Sequence, residues 1–218
     1  MPLIIQKKGL MYFPVPKVAC TSLKHAMYAI ENGFDFQDYY INGKYFHIHN
    51  FNSRYETTVW SNENNIHKKD LFKFAVIRDP VQRLLSCYSN RVVFHKELEE
   101  SKVGSHLPEY CPYNPDLNYF VKYLGEYRAC SASINHHTEP MVSFLGTDVH
   151  YYDRIYMMSE LDKLRDELCQ KLKQDVVFPR LQTGGVKIDE STVPDELIDK
   201  IREYYCQDYR VFDHYLES

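Results

Sequence analysis

An apolar run, Leu10 to Val15, breaks at Pro16-Lys17 and passes almost at once into a helical-looking segment, Ser22 to Ile30. A strand that turns this sharply into a helix leaves backbone N–H groups without partners around the turn and at the helix start, which suits an anion such as a phosphate. The stretch Phe74-Ala75-Val76-Ile77-Arg78-Asp79-Pro80, followed by Arg83 and Ser86, repeats the design of strand, tight turn and new helix. Two such turns point to a ligand carrying two separated phosphates.

The rest of the chain reads as alternating strands and helices. Strands are expected at Leu10 to Val15, Tyr45 to His49, Leu71 to Ile77 and Arg154 to Met158, each short and rich in aromatic or β-branched residues. Helices are expected at Ser22 to Glu31, Pro80 to Lys96, Leu117 to Glu126, Glu160 to Lys173 and Pro194 to Asp208. Asp79 can cap the second of these with Pro80 at its first position, and Ser159 followed by Asp162 offers a start for the fourth. Such alternation predicts an α/β fold, a mostly parallel sheet flanked by helices on both faces, with ligands beyond the carboxyl ends of the strands. Residues 95–150, broken by Pro108, Pro112, Pro115 and Pro140, read as an irregular acceptor-facing subregion within a single domain spanning 1–218.

A chain of 218 residues with 44% hydrophobic content can bury one sizeable core. Its net charge of −4 excludes the global positive field that dominates nucleic-acid or anionic-membrane binding, so any anion site is local. The six cysteines show neither a C-x-x-C pair nor a zinc spacing, and no metal is expected. The first residues lack a signal-peptide core, and no run approaches the ~20 apolar residues that cross a bilayer. Reduced thiols and a soluble, cytoplasmic protein are the expectation.

Pro16, Lys17 and Thr21 spell P-K-x-x-x-T, and Arg78, Asp79, Pro80, Arg83 and Ser86 spell R-D-P-x-x-R-x-x-S. The pair resembles the two phosphate-binding elements of sulfotransferases that use 3'-phosphoadenosine 5'-phosphosulfate (PAPS). The resemblance implies the P-loop-like fold of that family, PAPS as co-substrate and adenosine 3',5'-bisphosphate as product. It implies that Lys17, Val18, Ala19, Cys20, Thr21 and Ser22 hold the 5'-phosphosulfate, and that Arg78 and Ser86 hold the 3'-phosphate. A cation at Lys17 suits the chemistry, since sulfuryl transfer leaves growing negative charge on the departing phosphate. Gly184 and Gly185 are either a third contact, over the 3'-phosphate and adenine, or part of a flexible surface loop. The version PKVACTSLK looks most like the Golgi carbohydrate, chondroitin-type sulfotransferases, which implies a glycan acceptor. Without a membrane anchor, the expected form is a soluble bacterial member. The segment Glu203 to Phe212 looks like the family's closing helix.

A base must take the proton of the acceptor hydroxyl. His47 and His49 stand two apart on an expected strand, so both would project from one face, and some glycosaminoglycan sulfotransferases carry a similar H-x-H segment and use a histidine there. His136, beside His137 in a stretch resembling an H-W-x-P element with the tryptophan replaced, is the reserve base. Arg83 can bind or brace, and Asp79 caps rather than catalyses. Two other functions stay open. One is an ATP-dependent P-loop-type kinase, although the first loop lacks the G-x-x-x-x-G-K-[ST] glycines; the other is a nucleotide- or glycan-binding module without turnover.

Overall fold

The computed structural model describes residues 2–60, 70–181 and 184–216. Its elements run β1 (Leu3–Ile5), β2 (Leu10–Phe13), α1 (Cys20–Asn32), β3 (Tyr39–Ile41), β4 (Lys44–Phe46), β5 (Phe72–Ile77) and α2 (Pro80–Cys87). They continue with α3 (Glu100–Val103), α4 (Leu117–Lys122), α5 (Leu124–Cys130), α6 (Ala132–Thr138) and α7 (Val142–Leu145). Last come β6 (Arg154–Met157), α8 (Leu161–Leu172), α9 (Asp195–Tyr204) and α10 (Cys206–Leu216). The chain packs as two compact units, one of Met1–Ile77, Met141–Gln182 and His214–Ser218, the other of Arg78–Pro140 and Thr183–Asp213.

The first unit bears out the expected α/β class. Its sheet has the order β1-β2-β5-β6; β2, β5 and β6 are parallel, and β1 adds an antiparallel edge that the sequence reading omitted. LMYF and FKFAVI are nearly continuous apolar runs because strands of a parallel sheet are covered on both faces. Tyr12, Phe74, Val76 and Tyr156 turn to one face, where they share a core with Leu23, Ala26, Met27 and Ile30 of α1 and Leu164 and Leu168 of α8. On the other face the Phe13 ring meets Trp60, Tyr151 and Tyr152, and the Trp60 backbone N–H donates to the Ser143 carbonyl of α7 at 2.7 Å.

The second unit is helical around a separate core that joins Val81, Leu84 and Leu85 of α2 to Phe120, Tyr127, Ile134, Leu197 and Ile201. The long helix expected from Pro80 to Lys96 is present but widens into π geometry over Tyr88–Phe94. The helix expected at 117–126 breaks at Tyr123, and the one expected at 194–208 breaks at Tyr205, whose side chain is wholly buried.

Two local expectations are corrected. Tyr45 to His49 is not a strand of the main sheet: β4 ends at Phe46 and pairs only with β3. Asn42 and Gly43, at φ 50° and 75°, close a two-residue hairpin turn, and both positive angles are what the primed turns require. Nor does Ser159 start α8: it lies in a 3-10 turn, Met158–Glu160, that the Glu160 carboxylate closes by accepting the Met157 N–H at 2.9 Å, and Glu160 stands at the N-cap of α8 without a side-chain cap bond while pairing with Lys163.

Leu164 is fully buried between α8 and the sheet, so Leu164→Ala is expected to remove about 2–5 kcal/mol of stability through lost contacts and a residual cavity. Lys163→Ala, one residue away on the exposed side, should stay within about 0.5 kcal/mol. Urea unfolding of the two variants checks the orientation of α8.

Candidate active site

The turn after β2 is built from backbone of alternating hand. Lys17 lies at φ 67° and Ala19 at φ 59°, both left-handed, with Val18 buried between them. Holding non-glycine residues there costs on the order of 1–3 kcal/mol each, a strain that persists only where surrounding packing enforces it. Pro14, Val15 and Pro16 are buried ahead of the turn and supply that enforcement. Alternation of this kind gathers successive N–H groups into a concavity for an anion. α1 then begins at Cys20, with the Leu23 N–H on the Ala19 carbonyl at 3.0 Å and no side-chain cap from Ala19. The N–H groups of Cys20, Thr21 and Ser22 are therefore those of a first helical turn, which find no acceptor inside the helix and sit at its positive end. Lys17, Cys20 and Ser22 are half-buried, and Thr21 is buried.

Thr21 and Lys24 lie one turn apart on the same side of α1, and His49 joins them. Its Nε2 is 2.8 Å from the Thr21 hydroxyl and its Nδ1 is 3.0 Å from the Lys24 ammonium nitrogen. The Lys24 Nζ also donates to the Thr57 hydroxyl at 2.7 Å. Lys24 has no exposed surface at all. Burial lowers its pKa to about 8, against a smaller upward pull from Cys20 and Glu56.

The tight turn after β4 delivers the imidazole. The Asn50 and Phe51 N–H groups donate to the His47 carbonyl at 3.0 and 3.1 Å, and the Asn50 side chain accepts the His47 N–H at 2.7 Å. Ile48, buried in the core of the first unit, anchors the turn between the two histidines. His47 therefore does not share a strand face with His49; its ring stands 5.7 Å away, and its Nδ1 lies 3.3 Å from the His49 backbone N–H. This arrangement gathers Lys17, the Val18 to Ser22 segment, His47 and His49 in the first unit.

The remaining candidates belong to the second unit. Arg78 follows β5 directly and is half-buried; burial draws its guanidinium pKa below the ordinary value, Asp79 offsets this and Arg83 adds to it, and the group keeps its charge. Asp79 caps α2 as expected, accepting the Gln82 N–H at 3.1 Å and the Tyr209 hydroxyl at 2.9 Å. Arg83 proves to be a brace. Fully buried, it stacks over Tyr205 and donates to the Glu139 carbonyl at the end of α6. Ser86 is half-buried on α2. His136 sits on α6 with its ring edge-on to His137 at 5.3 Å.

Gly184 and Gly185 have a packing reason of their own. Asn90 donates to the Gly184 carbonyl and Ser89 to the Val186 carbonyl, which draws this segment onto the π turn. A Cβ on Gly184 would lie 2.9 Å from the Phe94 ring; one on Gly185, at φ 94°, would lie 2.9 Å from the Ser89 carbonyl oxygen. Gln182 and Thr183 of the same stretch lie outside the described residues.

The sequence reading missed Lys24 and Thr57. The signal for Lys24 was the i, i+3 spacing from Thr21 within an otherwise apolar helix face of Leu23, Ala26 and Met27. Thr57 had no local mark. Among the described residues no group of three or more His, Cys, Asp or Glu gathers as a metal site, and no helix is long and apolar enough to cross a membrane. All six cysteines are free thiols.

Because neither backbone nor side-chain room exists at Gly185, Gly185→Ala is expected to cost about 1–3 kcal/mol through strain and overpacking against Ser89. Denaturant unfolding measures it, and a neutral substitution would mean that the segment does not rest on the π turn.

A model of the sulfotransferase family matches residues 3–215, nearly the whole chain. No curated protein and no solved structure matches it.

Proposed function

The chain belongs to the sulfotransferase family, enzymes that take PAPS as donor, and from that premise we propose that it moves the sulfuryl group of PAPS to a hydroxyl of a carbohydrate acceptor with His49 as base. The observation that carries this reading is the Thr21–His49 hydrogen bond at 2.8 Å, which ties an imidazole to the first turn of α1. A helix start receptive to an anion and a group able to take a proton are thereby held together on one compact unit.

PAPS supplies the activated sulfuryl group. The strained turn and the first N–H groups of α1 suit its 5'-phosphosulfate, with Lys17 as the cation that meets the charge growing on the departing phosphate. The Arg78 fork, rigid and charged, and the Ser86 hydroxyl suit the 3'-phosphate. His49, rather than His47 or His136, is assigned the proton. His47 spends its Nδ1 on the turn, while His136 belongs to the second unit beside His137.

A glycan acceptor is supported by the β3–β4 hairpin, which leads straight into the His47 turn. Tyr39 and Phe46 stack at 5.1 Å, Tyr40 and Tyr45 pack at 5.0 Å, and Tyr39, Tyr40, Ile41 and Tyr45 are exposed. Aromatic faces bared to water beside a base suit the apolar face of a sugar ring.

Incubation with radiosulfate-labelled PAPS and a panel of glycans should give a labelled sulfate ester without Mg²⁺. His49→Ala is expected to lower kcat by about 10²–10⁴ while adenosine 3',5'-bisphosphate still binds. Lys17→Ala should lower kcat by about 10²–10³, and Arg78→Ala should mainly raise KM for PAPS. Preference for Mg-ATP over PAPS would overturn the reading. Bisphosphate binding with no transfer to any glycan or simple alcohol would leave a binding module without turnover.

A further inference from the structure

We propose that Lys24 is the positioning residue of the base, holding His49 in the tautomer that puts the lone pair on Nε2 and taking up the Nδ1 proton in return. The inference rests on the assignment of His49 above.

The geometry limits the protonation states of the pair. An ammonium at Lys24 has only protons to offer, so at 3.0 Å it donates to the Nδ1 lone pair. A neutral imidazole with Nδ1 accepting carries its one proton on Nε2, which then points at the Thr21 oxygen 2.8 Å away. In that state His49 has no lone pair to present and cannot act as a base. Remove one proton from Lys24 and the order reverses. Nδ1–H donates to the neutral amine, and the Nε2 lone pair faces the start of α1, with the Thr21 hydroxyl as its donor. The lowered pKa of Lys24, about 8, makes that state accessible near neutral pH.

The step balances within the protein. The acceptor O–H bond breaks as its oxygen takes the sulfuryl group from PAPS. The proton passes to Nε2 as the Thr21 hydroxyl gives up its bond there, the Nδ1 proton passes to the Lys24 amine, and an ammonium results. The nucleotide leaves as the bisphosphate anion, and the extra proton later returns to solvent through the half-buried His49 ring. Thr57, 2.7 Å from Nζ, fixes the amine on the far side, so the lysine cannot swing away from Nδ1 without losing that hydrogen bond.

Other titratable groups face the pair. Cys20 on the same helix and Glu56 beside Thr57 both favour the ammonium, and burial outweighs them. The His47 ring lies beside His49. On β2, beneath α1, burial raises the Tyr12 pKa well above its ordinary value, so that hydroxyl brings no charge.

Imidazole nitrogen NMR on the ¹⁵N-histidine protein, titrated from pH 6 to 10, tests the proposal without any acceptor. Expected is a tautomer switch at His49, from Nε2–H to Nδ1–H, with a midpoint at about 8. Lys24→Met, close in length and apolar, should abolish the switch. Lys24→Gln, which keeps an N–H donor but does not titrate, should abolish it too and guards against misfolding of the first variant. A wild-type His49 that keeps one tautomer throughout, or a switch that survives in Lys24→Gln, overturns the proposal. Failure of the His49 assignment is read separately, as sulfate transfer that survives His49→Ala.

Discussion

The parallel pairing of β2 with β5, Leu10 opposite Phe72 through Phe13 opposite Ala75, decides where the chain leaves the sheet. Parallel register brings the carboxyl ends of two neighbouring strands to one edge of the sheet, and the chain leaves each of them through a tight turn into a helix. Such an edge is where open α/β sheets bind ligands, because no strand continues there to satisfy the N–H groups of the turn that follows. Had β2 paired antiparallel with β5, the P-K-x-x-x-T turn and the segment leading to Arg78 would have left from opposite edges. β1 can be antiparallel without harm because it sits outside β2 and carries neither turn.

Burying Lys24 is the second constraint, and it works against stability. A lysine without exposed surface loses its hydration, and its bonds to His49 and Thr57 recover only part of that loss. Below its folded pKa of about 8 the native state carries a strained ammonium, whereas the unfolded chain holds the same proton in water up to the ordinary lysine range. Between these two limits the unfolded state binds more protons, so the contribution of this group to stability improves as pH rises through that window. An apolar residue at this position would serve the core better. Packing therefore does not explain the lysine, whereas its bond to the His49 ring does.

The two turns were legible in the sequence because each is local: apolar strand, Pro-Lys or Arg-Asp-Pro, then a helical period. Asp79 behaves as its position before Pro80 implied. The features that escaped depend on partners far along the chain. His47 and His49 read as a strand because aromatic residues flank them, yet Asn42-Gly43 closes a hairpin ahead of them and Asn50 pins a turn behind. Lys24 reads as the polar residue of an amphipathic helix until His49 and Thr57 arrive over it. Gly184-Gly185 carries a sequence signal for close backbone approach, and the approach is real, but its object among the described residues is the π turn at Ser89. Residue type announced the geometry there and left the partner unnamed.

For the base proposed at His49, electrostatics gives a reason for a second basic group. The start of α1 carries the positive end of the helix dipole, and Lys17 adds a full charge on the neighbouring turn. Both favour an incoming anion, and positive charge of that kind works against placing a further positive charge beside it. Handing a proton onward from Nδ1 to Lys24 moves the new positive charge to a residue one turn further along α1, about 4.5 Å down the axis from Thr21. In that proposal the anion-receptive end keeps its field, because the ring hands one proton on as it takes another. A lysine raised above its usual pKa could not accept that proton, and an exposed one would already be charged; only burial of the kind seen at Lys24 supplies a neutral amine within reach of Nδ1.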